Sequence, residues 1–596
     1  MKAKKRKYKN IFCSLIIVMC FITTTFSQRI ITNPNVVVIL SDDQGWGDLS
    51  INGNKNLNTP NIDSQAQSGA IFKYFYVSPV CSPTRAEFLT GRYHARSNVY
   101  STSTGGERMD LDETTIAQIF GKAGYSTAMF GKWHNGTQAP YHPSTRGFDE
   151  FYGFTSGHWG NYFSSLFLDH NGKLVKGKGY LENDLTNRAV SFMEEHREKP
   201  FFVYIAYNTP HSPMQVSDRW WNKFKNKKLT MFNRDPEKED TTFTKAALAM
   251  CENLDWNVGR IRNKIAELGL TRNTIVVYLS DNGPNSWRWN GGMKGKKGSV
   301  DEGGVRTPCF IEWPGKIKAG EKISEIAADI DLLPTLADLA GIKISSKKTL
   351  DGKSLKPLLL GNSNIWPSRL LYSSWAGRSS VRSQKYRLDD KGQLFDMEND
   401  PGQLYNIAKE KTDIAQTLYD SLKEWQINVL SEINRNADRP FTIGYPDFKY
   451  TLLPARDGSG HGAIERSNRW PNSSFFTHWI NVSDKITWNV DVMASGDFKV
   501  ELYYTCPKKD IGSTIELQFG KSKITGKLTE AFDPPLRGME NDRVERQESY
   551  VKDWKLKELG SIHLDKGIGT LTLGATHMPG AQVMDFRLLM LTRVNN

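Results

Sequence analysis

The chain reads as an α/β protein built on a mostly parallel sheet flanked by helices, followed by a C-terminal β-sandwich. Three observations predict this. Asn35–Leu40 and Thr274–Leu279 are unbroken apolar, β-branched-rich runs with no polar alternation, the pattern of strands covered on both faces. Helical segments fall between such runs, at Thr114–Ala123, Asn183–Arg197 and Thr244–Gly269, as a parallel sheet with crossovers requires. Beyond the helix expected over Asp413–Ile433 and the polar, proline-terminated stretch Asn434–Pro440, the pattern changes to short alternating runs. These runs, at 486–493, 498–504, 514–519, 561–564, 569–573 and 583–591, are separated by Gly, Lys and Asp, which predicts an antiparallel sandwich. That sandwich is either a carbohydrate-binding module or a lid packed on the first domain.

The 596 residues exceed one ordinary domain. Lys2, Lys4, Lys5, Arg6, Lys7 and Lys9 precede an apolar run from Ile11 to Ile22 and small residues up to Ser27, the layout of a secretory signal peptide too short to span a membrane. The expected organisation is a signal peptide at 1–27, a catalytic domain at 28–436 and an accessory sandwich at 437–596, in a protein exported to the periplasm or the medium without a transmembrane anchor. Cleavage near Ser27 would lower the formal net charge from +13 to about +7. This mild basicity suits an anionic substrate or a lysine-rich surface, and no basic block or RNA-binding motif points to nucleic acid. Only Cys81, Cys251, Cys309 and Cys506 lie outside the signal segment, and they form no disulfide framework.

The strands end in chemistry. Asn35–Leu40 runs into Ser41-Asp42-Asp43, and Thr274–Leu279 into Ser280-Asp281-Asn282-Gly283. Tyr125–Phe130 leads to Gly131-Lys132-Trp133-His134, and Phe201–Ala206 to Thr209-Pro210-His211-Ser212-Pro213. Carboxyl ends of parallel strands line one crevice, so these endings are expected to converge. Asp42, Asp43, Asp281 and Asn282 offer hard oxygen ligands, which suit Ca²⁺ or Mg²⁺ rather than zinc, with calcium the better choice.

Cys81-Ser82-Pro83-Thr84-Arg85-Ala86, continued by Leu89-Thr90-Gly91-Arg92, reads as a helix start that presents a sulfur. A buried small hydrophobe is the commoner fate of a single cysteine. Here the whole segment resembles the signature of the type I sulfatases, whose cysteine is oxidised to formylglycine (3-oxoalanine). The resemblance extends through Asp42–Asp48, Gly131–His134, Arg146–Asp149, Pro210–Pro213, Asp281–Gly283, Lys297-Gly298 with Glu302–Arg306, Asp351–Leu355 and Leu394–Asn406, covering about residues 32–430. It departs at Asn135, where a leucine is usual. In the lysine-rich 293–297 stretch, spacing from Glu302 favours Lys297 over Lys294.

The resemblance implies an alkaline-phosphatase-like fold and metal ligation by Asp42, Asp43, Asp281, Asn282 and the modified Cys81. Arg85, Lys132, His134, His211 and Lys297 become the catalytic donors, with His211 protonating the leaving alcohol and His134 the base that regenerates the aldehyde. It also implies maturation by a formylglycine-generating enzyme or an anaerobic sulfatase-maturating enzyme. Similarity to bacterial polysaccharide sulfatases implies a sulfated carbohydrate substrate, ulvan first, with carrageenan and fucoidan beside it. Trp287, Arg288 and Trp289, just past Asp281-Asn282, are expected on the pocket rim, where they suit a sugar carrying a carboxylate, as in a uronic acid, or a second sulfate, or else packed as loop structure. The alternatives are a phosphodiesterase or phosphonate monoester hydrolase of the same superfamily, and an inert glycan-binding protein.

Overall fold

The computed structural model describes residues 33–362, 366–435 and 438–594. The expected signal peptide and the boundary between 436 and 437 lie outside the described residues. A ten-stranded mixed sheet organises the N-terminal region of the described residues. Its centre is five strands, β1 (Asn35–Ser41), β2 (Ser126–Lys132), β3 (Glu150–Phe154), β4 (Phe201–Ala206) and β5 (Thr274–Ser280), in the order β5-β1-β4-β2-β3. All four neighbouring pairs are parallel. Antiparallel strands extend it on both sides, Cys309–Glu312 beside β5 and Leu168–His170 beside β3.

The unbroken apolar runs have their physical reason in two cores. Val36, Val38 and Leu40 pack into one cluster with the helices Cys81–Thr90, Ile116–Lys122 and Leu332–Leu339. Val37 and Ile39 pack into the other with Leu181–Glu195 and Thr241–Glu267. Each fully buried side chain of this kind contributes about 1.5–3 kcal/mol. A polar residue at any position from Val36 to Leu40 would therefore lose that contribution and bury a polar group among apolar neighbours.

The helix Cys81–Thr90 is buried along its whole length and ends at Gly91, whose φ of 67° lets the chain turn away. Val80 precedes it in extended conformation with no side-chain cap, so its positive end is left toward the crevice. A small antiparallel sheet, Leu371–Trp375, Arg378–Arg382, Tyr386–Asp389 and Leu394–Asp396, follows, then the helix Thr412–Asn428.

The C-terminal region forms two six-stranded sheets around one core. Ile486, Trp488, Val490 and Val492 alternate inward from one sheet, and Phe498, Val500, Leu502 and Tyr504 from the other. Pairing is antiparallel except where Phe441–Ile443 joins Lys485–Val492. Cys81, Cys251, Cys309 and Cys506 are all free and buried. No helix among the described residues is long and apolar enough to cross a membrane.

Candidate active site

Parallel pairing of Ser41 with Ser280 sets the two acidic turns after β1 and β5 side by side. The Asp43 amide donates to Asp281 Oδ1 (3.1 Å), and Asn282 Nδ2 donates to Asp43 Oδ1 (2.8 Å). Asp43 holds φ 65°, a left-handed conformation that a non-glycine residue keeps only where its surroundings over-determine it. A Cβ on Gly283 would lie 2.0 Å from the Gly303 carbonyl, so only glycine lets the 302–305 segment close over this turn. Cys81 Sγ and carboxylate oxygens of Asp42 and Asp281 lie within 4.8 Å of one another, as do those of Asp42 and Asp43 with a His211 ring nitrogen.

Three oxygens in this cradle, Asp42 Oδ1, Asp43 Oδ2 and Asn282 Oδ1, are buried and accept no hydrogen bond. Such orphans cost about 1–3 kcal/mol each, and a hard cation is the partner this donor set fits. Around them stand three basic groups. Lys132 Nζ pairs with Asp42. Arg85 Nη2 lies 2.9 Å from Asp281 and 3.4 Å from Asp42, and Lys297 Nζ lies 2.6 Å from Asp43. Arg85 Nη1 also donates to the Lys132 carbonyl (2.7 Å), tying the helix to the end of β2.

Burial alone would raise both β1 carboxyls. The charges of Lys132 and His211 hold Asp42, and those of Lys297 and His211 hold Asp43, below the ordinary carboxylate range. Asp281 moves the other way, raised by burial and by Asp42 against the pull of Arg85. Three carboxylates crowd this cradle, so positive charge bound among them would favour their ionised forms. Burial would lower Lys297, but chiefly Asp43 keeps it well above the usual lysine range.

His134 follows Lys132 with φ 64°. Its Nε2–H donates to the Thr102 carbonyl (2.8 Å), which leaves Nδ1 buried, unpartnered and carrying the lone pair. Burial, then Lys132, push this imidazole well below its ordinary value, so it is neutral. A Cβ on Gly157 would come within 2.6 Å of His134 Nε2, which requires glycine at that approach. His211 Nδ1 donates to the Ser212 carbonyl (2.7 Å), and its Nε2 lies 3.6 Å from Asp43 Oδ2. Cys81, Asp43, His134, His211 and Lys297 all open into one cavity of about 880 Å³.

The four strand endings thus meet in one crevice, and Lys297 rather than Lys294 reaches it; Lys294 pairs with Asp301 (3.2 Å) outside. Asn135 donates to the carbonyls of Ser82 (3.2 Å) and Glu107 (3.3 Å), bracing the start of the Cys81 helix where a leucine could not.

The expected rim is different. Arg288 is 1% exposed, its Nε donating to both Asp48 oxygens (2.9 and 3.0 Å) and its Nη2 to Asp48 (2.6 Å) and the Asp43 carbonyl (2.8 Å). Asp48 is itself buried and requires this cation. Trp289 packs against Trp46 at 6.3 Å, and Trp287 sits half-buried under Lys238 and Lys296. None of the three borders the cavity, whereas their neighbours Asn285 and Lys296 do.

Among the cavity residues that escaped the sequence reading is a histidine. His158 stacks on His211 (5.8 Å between rings) with a buried, unpartnered Nε2, and burial followed by the charges of His211 and Lys132 keeps it neutral. It follows β3, a fifth strand ending of the same kind, and that was its available signal.

Residues 34–342 match the family model described as Sulfatase, and residues 295–428 match N-sulphoglucosamine sulphohydrolase, C-terminal. The N-acetylgalactosamine-6-sulfatase of Mus musculus is 33% identical over 362 residues, 55% of this chain. That match spans 66% of the mouse enzyme, just under two thirds of its length. Arylsulfatase A of Bos taurus is 31% identical over 66% of this chain and 87% of its own. A solved structure, Ps i-CgsB in complex with k-i-k-neocarrahexaose, is 31% identical with a TM-score of 0.61, covering 67% of this chain and 93% of that one. With a family model spanning more than half its length and these relatives beside it, the chain belongs to the sulfatase family.

Proposed function

We propose that this protein is an exported sulfatase that hydrolyses sulfate esters of a sulfated glycan, with Cys81 converted to 3-oxoalanine and Ca²⁺ held by Asp42, Asp43, Asp281, Asn282 and residue 81. The observation that carries the reading is the set of three orphaned buried oxygens beside the Cys81 sulfur, ringed by Arg85, Lys132 and Lys297. Once present, the hydrated aldehyde supplies an oxygen nucleophile with a second hydroxyl, and the cation lowers its pKa and carries charge on the sulfate.

The chain's own groups do the rest. Arg85 and Lys132, fixed by Asp281 and Asp42, stabilise negative charge next to residue 81. Lys297 offers its ammonium to the sulfate oxygens from the cavity side. His211, anchored through Nδ1, holds Nε2 toward the cavity and as imidazolium protonates the leaving alcohol. His134, neutral and with a free Nδ1 lone pair, accepts the proton released when sulfate departs. Net, one S–O bond is hydrolysed, giving an alcohol and sulfate.

For the substrate, the buried Arg288 removes the argument that placed a uronic acid, and hence ulvan, at the rim. The relative solved with a neocarrahexaose supports a carrageenan-type sulfated galactan as the first substrate to test, with ulvan oligosaccharides beside it. The basic, then apolar N-terminus supports export.

The test is peptide mass spectrometry over Cys81 in the native host, combined with kcat/KM on an aryl sulfate and an aryl phosphodiester. An aldehyde at 81 with preference for the sulfate is expected. Preference for the diester would make the protein a phosphodiesterase, and an unmodified thiol with no turnover would make it a glycan-binding protein.

A further inference from the structure

The described residues of the C-terminal sandwich lie beyond both family matches, which end at 342 and 428. Even so, two loops from this region complete the cavity, one carrying Arg469, Trp470 and Asn472 and the other Gln547 and Glu548. Both are fastened to loops that carry cavity histidines, His158 and His211. Asn472 Oδ1 accepts from the Gly157 amide (3.1 Å), and Ser473 Oγ donates to the His158 carbonyl (3.3 Å). Glu548 accepts from the hydroxyl of Ser212, next to His211, and Gln215 Nε2 donates to the Gly538 carbonyl (2.7 Å). Asn468 Nδ2 donates to the Gln547 carbonyl (2.8 Å), joining the two loops to each other. Hydrogen bonds therefore tie this wall to the site it faces.

Within this wall Trp470 is 48% exposed, while the sandwich's Trp479 and Trp488 are each 1% exposed. The backbone amide of Trp470 is held by Asn468 Oδ1 (2.9 Å), so the exposed indole sits on an ordered turn. The Arg469 guanidinium lies 4.8 Å from the Trp470 ring and makes no ion pair among the described residues. A half-exposed indole with a guanidinium over its ring suits a pyranose, and a guanidinium without an ion pair suits a sulfate or carboxylate. Lys296 also lines the cavity, together with the acids Asp240, Glu545 and Glu548.

We propose that Trp470 and Arg469 bind a second anionic sugar unit adjoining the one whose sulfate ester is cleaved. The C-terminal domain is then part of the substrate site and selects multiply charged chains over isolated esters. This inference rests on the sulfatase reading of the same cavity.

The experiment compares wild type, Trp470→Ala, Trp470→Phe and Arg469→Ala on 4-nitrophenyl sulfate and on κ-ι-κ neocarrahexaose and ulvan oligosaccharides, with melting temperature as the folding control. Binding of the same oligosaccharides is measured by calorimetry. The ratio of kcat/KM on the preferred oligosaccharide to that on the aryl ester should fall at least 10-fold in both alanine variants. The loss should lie in KM, and Trp470→Phe should recover most of it. An unchanged ratio overturns the inference and leaves the sulfatase reading intact, as does a wild type that handles no oligosaccharide better than the aryl ester. A wild type inert on every ester sinks the sulfatase reading instead. The inference then stands only if oligosaccharide affinity still falls at least 10-fold in the alanine variants, and falls with that reading if it does not.

Discussion

Replacing Arg288 by alanine isolates what the buried ion pair does. The side chain donates to both oxygens of Asp48, to the Asp43 carbonyl, to Asn285 Oδ1 (3.1 Å) and to Ser286 Oγ (2.9 Å). Without it, Asp48 keeps the amide of Gly45 (2.8 Å), and among the described residues no other cation lies within ion-pair distance. A buried charge left without its partner costs about 3–5 kcal/mol. Arg288→Ala should therefore lower the melting temperature clearly. The double variant Arg288→Met with Asp48→Leu, which removes both charges, should recover much of the loss, because the penalty belongs to the stranded carboxylate rather than to lost attraction. The backbone of Asp43 is one of the guanidinium's acceptors, so kcat/KM should fall by similar factors on 4-nitrophenyl sulfate and on a sulfated oligosaccharide. The assays are a thermal melt and paired kinetics. An unchanged melting temperature, together with a loss confined to the oligosaccharide, would refute this account and return Arg288 to the substrate rim.

Asp42→Ala or Asp281→Ala should abolish turnover, and chelation should do so reversibly with Ca²⁺; full activity in a metal-free sample would remove calcium from the mechanism. His134→Ala should cost at least about 100-fold in kcat, the usual scale for a lost general base. Because burial and Lys132 keep His134 neutral, wild-type kcat should persist as pH falls through the ordinary imidazole range, and a loss centred there would contradict the assignment. Glu87, on the Cys81 helix, is raised to about 8 by burial, although the His94 amide donates to it (3.0 Å). Since the folded state binds this proton more tightly than the unfolded chain, its stabilisation is complete below the unfolded value near 4.5 and is lost as pH rises toward 8. Glu87→Gln should flatten that decline in melting temperature between pH 5 and 8; an identical slope in the variant would remove Glu87 as its source.

The strands, their order of chemistry and the Cys81 helix were legible in the sequence because each is a local pattern. Unbroken β-branched runs such as Val36–Leu40 and Ile275–Leu279 occur where both sheet faces are covered, and the residue after such a run stands at the mouth of a crevice. By itself the sequence therefore determined the α/β class, the later sandwich and the candidates Asp42, Asp43, Cys81, Arg85, Lys132, His134, His211, Asp281, Asn282 and Lys297. It could not determine which charged residues find a buried partner. Arg288 follows the acidic turn closely enough to suggest the rim, but Asp48, 240 positions earlier, lies within 2.6 Å and draws it inside. Nor could it show that a loop at 469–472 reaches a cavity built on strands that end at 41 and 280. Burial and pairing depend on distances across the folded chain, where desolvation penalises a charge unless an opposite one arrives from another element. That balance is fixed only once elements distant in the sequence have packed around the site.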